Sequence, residues 1–342
     1  MSGGAAKKIN VVLVGRGRMG ANHFRVLEES PDFSLKAVID QKLVDGPLPD
    51  RPAIPGFSSL ETFARSGIAF DAAVVATATE THFSVASKLL EMGKPLLVEK
   101  PLASTEQQST QLIALAKEKN LLLAVGHVER MNPAVVKLKE VIANGWLGDP
   151  IHISVTRVGG YPSSVQPGNN VLLDLAVHDL DVIRSLAGPI RVVSSVCHKT
   201  VQKDVYDTGE ILLSSQSGAS ASIHVNWITP TKIRTIRVTG TRGVCFVDYM
   251  MQTCELFGGD LLKSPPNLGI DFASLVHQYQ NSDKIVFGIN KEEPLKVQLR
   301  AFRDALRGQP HRLCLGSDGA AAVRLAEEAL RVPQNSTGLA FT

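Results

Sequence analysis

The sequence predicts an α/β chain in two parts, residues 1–125 as a doubly wound parallel sheet and residues 126–342 as an α+β region with a large, mostly antiparallel open sheet. Three observations predict it. Apolar runs alternate with helical segments as far as Val125, which is the grammar of a parallel sheet covered on both faces. Beyond Val125 the strands alternate apolar with polar residues, as a sheet with one buried face does. The length, 342 residues, exceeds what a single hydrophobic core usually spans.

In the first part, Ile9 to Val14 is a β-branched apolar run, followed by Gly15-Arg16-Gly17-Arg18-Met19-Gly20 and a helix expected over Asn22 to Glu29. A second strand, Leu35 to Ile39, ends at Asp40. The segment Gly46 to Gly56 carries Pro47, Pro49, Pro52 and Pro55 and reads as loop before a helix at Leu60 to Arg65. Strands are expected at Ala72 to Ala76, Pro95 to Val98 and Leu121 to Val125, separated by helices at His82 to Glu91 and Ser104 to Lys119. Ser104, with Gln107 three residues on, is the expected start signal of the latter.

The second part opens with a helix at Pro133 to Asn144 and the alternating strand Ile151 to Thr156. Similar strands read at Val192 to His198, Glu210 to Ser215, Ala219 to Asn226, Thr235 to Gly240, Val244 to Asp248 and Thr253 to Phe257. Helices near Leu175 to Leu186, Leu295 to Leu306 and Asp318 to Leu330 leave one face of that sheet without cover, which predicts a homo-oligomer, a tetramer or dimer, paired through it.

Composition excludes several classes. Hydrophobic residues at 44% and charged residues at 20% describe a globular chain rather than a disordered one. A net charge of +3, with no long Lys/Arg run and few aromatics, leaves nucleic acid an unexpected partner. No apolar stretch approaches a membrane span and Met1 to Lys8 has no apolar core, so a cytoplasmic protein is expected. Cys197, Cys245, Cys254 and Cys314 show no C-x-x-C pairing and the histidines no H-x-x-x-H cluster; reduced structural thiols and no metal site are expected.

The glycine loop stands where strand meets helix, the setting in which G-x-G-x-x-G binds a dinucleotide. Gly15 turns tightly, Gly17 lets the backbone approach a pyrophosphate, and Gly20 lets helix pack on strand. Asp40, 20 residues after Gly20, is the expected acceptor for a ribose 2′-hydroxyl and repels a 2′-phosphate, which favours NAD over NADP; Lys42 nearby weakens that preference. Arg16 and Arg18 are either phosphate partners or solvated loop charges.

Two further constellations carry chemistry. Glu99-Lys100-Pro101 leaves a buried strand of the same domain, and a lysine beside oxidised nicotinamide has its charged form disfavoured, which suits it to proton exchange. Asp174, His178 and Asp181 stand at i, i+4 and i+7 of an expected helix, so that carboxylates flank a histidine able to accept a hydroxyl proton; the plain alternative is a helix start with a solvent-facing histidine.

Together the glycine loop, Asp40, Ala76-Thr77-Ala78-Thr79-Glu80-Thr81-His82, Glu99-Lys100-Pro101 and the Asp174…His178…Asp181 helix resemble the glucose-fructose oxidoreductase, inositol dehydrogenase and rhizopine catabolism (Gfo/Idh/MocA) family over nearly the whole chain. The resemblance implies an NAD-binding Rossmann domain, with Gly15, Gly17, Arg18, Met19, Gly20, Asp40, Ala76, Thr77, Thr79, His82, Glu99 and Lys100 about the cofactor. It also implies Lys100 and His178 at the reacting carbinol, Asp174 in support, and a cis Lys100–Pro101 bond. One departure is Asn169-Asn170 ahead of Asp174, where many members carry paired glycines.

Gly126 to Pro133 is similar to the segment found in UDP-N-acetylglucosamine 3-dehydrogenases of that family. The implied reaction is NAD-dependent oxidation of the sugar C3 hydroxyl to a 3-keto nucleotide sugar, ahead of an amino-transfer step in amino-sugar synthesis for lipid A or a surface glycan. A dehydrogenase of a free sugar or cyclitol, a glycosidase that regenerates NAD within each cycle, and a non-catalytic NAD-binding sensor are the alternatives. For the nucleotide sugar, Arg130 and Arg157 are candidate contacts to a diphosphate or hydroxyls, and His127 or Asn132 to a sugar; otherwise they form a polar helix start and strand-end charges. Tyr161 either stacks on a sugar face or caps its loop.

Overall fold

The structure is a computed structural model that describes residues 7–162, 170–258 and 284–331. It divides into two compact units, Met1–Met131 with Glu293–Arg324, and Asn132–Glu292 with Leu325–Thr342. This corrects the expected boundary at residue 125: the chain returns to the first unit for residues 293–324. The signal was hidden because the returning helix is an ordinary amphipathic one.

The central strands of the first unit are β1 (Ile9–Val14), β2 (Phe33–Ile39), β5 (Ala72–Val75), β6 (Leu96–Val98) and β7 (Leu123–Val125), all parallel. With β3 (Gly46–Leu48), β4 (Arg51–Phe57) and β16 (Cys314–Leu315) they make an eight-stranded sheet in the order β16-β7-β6-β5-β1-β2-β4-β3. Strands β5, β6 and β7 are buried throughout, and helices cover both faces, which is why these strands read as continuous apolar runs. On one face lie α2 (Leu60–Arg65), α3 (Thr79–Glu91) and α4 (Glu106–Glu118), through Phe63, Leu89, Leu90 and Leu112. On the other lie α1 (Arg18–Glu29) and the returning helix Pro294–Leu306, through Phe24, Leu27, Leu299 and Phe302.

Two local expectations are corrected. Gly46 to Gly56 is not loop but an edge hairpin of β3 with β4, and β4 runs parallel to β2. Prolines are admissible there because Pro47 is in the edge strand β3, and Pro52 and Pro55 are in the stretch of β4 that β2 does not reach, so one side of each requires no amide. Helix α4 is capped by Thr105, whose hydroxyl accepts from the Gln108 amide at 3.2 Å, one residue later than the Ser104 cap. The short strand β16 closes the other edge, antiparallel to β7.

The second unit is built on another sheet, of strands β8 (Pro150–Val158), β9 (Ile190–His198), β10 (Thr208–Ser215), β11 (Ser220–Asn226), β12 (Ile233–Gly240), β13 (Gly243–Asp248), β14 (Thr253–Gly258) and β15 (Lys284–Val286). Their order is β15-β14-β13-β12-β8-β11-β10-β9. All neighbours are antiparallel except β8 with β11. The inner face packs Ile153, Val155, Ile223, Val225 and Val238 against α5 (Pro133–Ala143) and α6 (Val177–Ala187). The opposite face exposes Val196, Leu212 and Phe246 among polar residues. No helix among the described residues is long and apolar enough to cross a membrane.

Candidate functional site

In the first unit the sheet order reverses around β1, which has β2 on one side and β5 on the other. Loops leaving the carboxyl ends of strands on either side of such a point part to form a crevice. A cavity of about 680 Å³ lies there, walled by Gly15 to Met19, Asp40 to Leu43, Ser58 to Glu61 and Ala76 to Ala78.

Each loop glycine is required for a different reason. Gly15 has φ +93°, and a Cβ on it would lie 2.5 Å from the Ala76 carbonyl oxygen. A Cβ on Gly20 would lie 2.1 Å from the Gly15 carbonyl oxygen, so that residue sets how closely α1 meets the loop. Gly17 has φ −70°, and a Cβ on it would meet nothing within 4 Å. That open space sits at the N-cap of α1, whose first amides have no intrahelical acceptor. Backbone donors, the positive helix end and open room suit a pyrophosphate.

Asp40 ends β2 with both carboxylate oxygens held: Oδ2 accepts from the Arg16 amide at 2.7 Å and Oδ1 from the Lys42 amide at 2.9 Å. Backbone amides therefore fix the acceptor that a ribose would meet. Arg16, which lines the cavity, has an acidic partner at the surface. Its guanidinium forks onto Asp50 at 3.0 and 2.5 Å and lies 4.4 Å over the Phe24 ring. Thr77 lines the cavity, and Thr79 is the first residue of α3. Gly20, Thr79, His82, Glu99 and Lys100 are not among the residues walling this cavity.

Lys100 leaves the end of β6 half-buried, and its bond to Pro101 is cis. The residues around it are tightly held. Glu99 Oε2 accepts the Lys100 amide at 3.2 Å, and Glu99 Oε1 accepts from His23 Nε2 at 2.7 Å. Burial opposes charge on Glu99, but the His23 hydrogen bond and the neighbouring positive charge of Lys100 outweigh it and hold the carboxyl below its usual range. His82, expected against the cofactor, is buried; its Nδ1 lies 2.8 Å from the Pro101 carbonyl oxygen and its Nε2 3.2 Å from that of Thr77. Burial pushes the His82 pKa down, against the pull of those two carbonyls.

In the second unit, residues Leu172–Ala176 form a π-turn that runs directly into α6. The wider turn changes the angular phase that an ideal helix would give Asp174, His178 and Asp181. Asp174 and His178 are half-buried, whereas Asp181 is fully buried. Asn170 explains one departure from the family pattern: its Oδ1 accepts the Leu172 and Leu173 amides, each at 3.0 Å, and starts the turn. Asn169 lies outside the described residues.

Asp174 Oδ2 accepts from the indole of Trp227 at 3.1 Å, and the Tyr161 ring meets Trp227 edge-on at 5.9 Å. The turn that delivers Tyr161, Gly159-Gly160 at φ +84° and +94°, is gripped by Arg234, which donates to the Val158 carbonyl and, at 3.0 Å, to that of Gly159. Trp227 thus links Asp174 and Tyr161 through one hydrogen bond and one ring contact.

Three expected substrate contacts have other partners. Arg157 is 4% exposed and grips Asp179, itself 0% exposed, through bonds of 2.7 and 3.0 Å. Asn132 caps α5 by accepting the Ala134 amide at 3.1 Å and donates to the Tyr249 carbonyl at 2.9 Å. Arg130 pairs with Asp318 at 3.1 Å, and His127 is buried. Sequence reasoning missed His23 and Trp227. A lone histidine on the apolar face of α1 reads as core, and a tryptophan just beyond a strand reads as packing.

Residues 9–127 match the family described as "Oxidoreductase family, NAD-binding Rossmann fold", and residues 135–245 match the "GFO/IDH/MocA C-terminal domain". The chain is similar to UDP-N-acetylglucosamine 3-dehydrogenase of Acidithiobacillus ferrooxidans, 25% identical over 77% of each chain. It is also similar to inositol 2-dehydrogenase of Rhizobium meliloti, 24% identical over 93% of this chain and 95% of that one. In fold it resembles the WlbA dehydrogenase of Bordetella pertussis, solved with NADH and UDP-GlcNAcA, at TM-score 0.77 and 20% identity over 95% and 96% of the two chains. A glycine cradle shaped for a pyrophosphate, an anchored ribose acceptor and family matches to both parts of the chain lead to one conclusion: this is a Gfo/Idh/MocA oxidoreductase that uses NAD on CH–OH groups.

Proposed function

We propose that this chain oxidises the C3 hydroxyl of UDP-N-acetylglucosamine to the 3-keto nucleotide sugar, supplying a later amino-transfer step. The observation that carries the reading is the match to UDP-N-acetylglucosamine 3-dehydrogenase, which spans 77% of each chain. NAD, when bound, supplies the hydride acceptor. The amides at the start of α1 and the carboxylate of Asp40 would hold it.

The remaining chemistry falls to side chains. Loss of hydride from a carbinol requires its hydroxyl proton to leave, and we assign that proton to His178 Nδ1 or Nε2. Asp174, steadied by the Trp227 indole, supports the site, and Lys100 stabilises the developing alkoxide by charge and hydrogen bonding. Tyr161 offers its ring to a sugar face. The enzyme acts in the cytoplasm in this reading, and self-association uses the exposed face of the second sheet.

A second reading, oxidation of a free sugar or cyclitol, gains from one observation: the Arg157–Asp179 fork occupies an arginine that a diphosphate would otherwise recruit. Turnover measured across UDP-N-acetylglucosamine, other UDP-sugars, free N-acetylglucosamine and myo-inositol separates the two. NADH formation with myo-inositol alone would defeat the nucleotide-sugar reading.

A further inference from the structure

Two buried histidines, from helices on opposite faces of the first sheet, reach the segment that carries Lys100. From α1, His23 is 0% exposed, and its Nε2 donates to Glu99 Oε1 at 2.7 Å. Among the described residues its Nδ1 has no hydrogen-bond partner, so Glu99 is the ring's sole polar attachment. Glu99 passes the constraint on, because its other oxygen accepts the Lys100 amide at 3.2 Å. Behind it, a Cβ on Gly126 would lie 2.9 Å from Glu99 Cδ and 3.0 Å from its Oε1, so the carboxylate uses the space that a side chain at position 126 would need.

From α3, His82 is 1% exposed, and its Nδ1 lies 2.8 Å from the carbonyl oxygen of Pro101. A neutral ring carries one N–H, and the shorter contact places it on Nδ1. His82 therefore holds the Pro101 carbonyl, one residue beyond Lys100, while His23, through Glu99, holds the amide of Lys100 itself.

We propose that His23 and His82 are positioning residues that clamp Lys100 from both sides, His23 through Glu99 and His82 through the Pro101 carbonyl. Neither imidazole is asked to exchange protons or touch the sugar. Their contribution is to hold one lysine in register, and a misplacement of about 1 Å at a reacting group costs on the order of 100-fold in rate. The inference rests on the reading of Lys100 as the residue at the carbinol.

The geometry supplies its own test, because the two rings use different nitrogens. A glutamine amide nitrogen reaches about where Nε2 stood, and an asparagine amide nitrogen about where Nδ1 stood. At position 23, His23→Gln should keep most of kcat and His23→Asn should lose roughly 10- to 100-fold. At position 82 the order should invert, with His82→Asn active and His82→Gln impaired. NAD affinity, titrated by fluorescence, should stay within about threefold in the two His23 variants, and at His82, whose Nε2 also faces the Thr77 carbonyl at the cavity wall, kcat is compared at saturating NAD, so that the loss is read on kcat. A role limited to filling space predicts the same order at both positions, and that result overturns the proposal.

Hydrogen exchange on the protein without substrate gives a readout independent of turnover. The Lys100 amide should exchange faster in His23→Asn than in His23→Gln, and equal exchange overturns the His23 arm. Lys100→Ala separates the two levels of the argument. If it turns over normally, the catalytic reading of Lys100 fails, and the clamp is then judged on exchange alone.

Discussion

Gly17→Ala and Gly20→Ala differ by one methyl at each end of the same short loop, yet they should fail in opposite ways. At Gly20 the new Cβ would lie 2.1 Å from a backbone oxygen of Gly15, which cannot rotate away, so α1 or the loop must shift. Overpacking of this kind costs about 1–3 kcal/mol. A domain of this size loses roughly 2–4 °C in melting temperature for each kcal/mol. At Gly17 the backbone is at φ −70° and nothing lies within 4 Å, so alanine is accommodated without strain. Its methyl instead projects into the room that the pyrophosphate needs. Displacing one charge-assisted hydrogen bond from a backbone amide costs about 1.5–3 kcal/mol. That raises the NAD dissociation constant roughly 10- to 150-fold. Calorimetric titration with NAD, paired with thermal unfolding of the protein alone, reads both quantities. Gly17→Ala should melt with the parent and bind poorly. Unchanged affinity, or a melting loss equal to that of Gly20→Ala, refutes the assignment of the cradle.

Other outcomes follow from the same geometry. Arg157→Ala strands the buried carboxylate of Asp179 and should cost about 3–5 kcal/mol in urea unfolding, and replacing both partners by apolar residues should recover much of it. Burial lowers the pKa of His82, so the unfolded chain binds the proton first as pH falls: the stability is fully present above about pH 6.5 and is lost on acidification below it. The melting temperature should therefore fall between pH 7 and pH 5 with a slope that His82→Asn reduces; an unchanged slope would contradict a His82 held neutral. Asp40→Ser removes the charge that repels a 2′-phosphate while leaving Lys42 in place, and kcat/KM for NADP relative to NAD should rise at least about tenfold. Trp227→Phe keeps a ring but removes the donor to Asp174 and leaves space where a fully buried indole stood, so both kcat and melting temperature should fall, and an unchanged kcat would contradict the support given to Asp174.

The first unit was the more legible part of the sequence. Its strands are buried on both faces, so periodicity needs no knowledge of partners, and the glycine loop is a steric requirement written in single residues. Asp40 was found by spacing alone, and the backbone amides of Arg16 and Lys42 supply the reason it stays in place. Long-range pairing was less legible. Nothing local tells that Arg16 folds onto Asp50 or that Arg157 is spent on Asp179, because an arginine's partner is chosen by the fold. The hairpin at Gly46–Phe57 was hidden by prolines that only an edge admits. The π-turn at Leu172–Ala176 was hidden for another reason: one extra residue per turn leaves no mark on an apolar sequence. Glu99 was visible as an unexplained charge, and its account needed His23, 76 residues away in sequence.

The central claim is that Lys100 and His178 act on a carbinol, while the glycine loop and Asp40 supply most of the hold on NAD. NADH formation in the presence of UDP-N-acetylglucosamine, compared among the parent, Lys100→Ala and His178→Ala, tests it most directly when NAD affinity is titrated on the same preparations. The account predicts sugar-dependent NADH in the parent and its loss in both variants, with NAD bound about equally by all three. Near-normal turnover in both variants would contradict it.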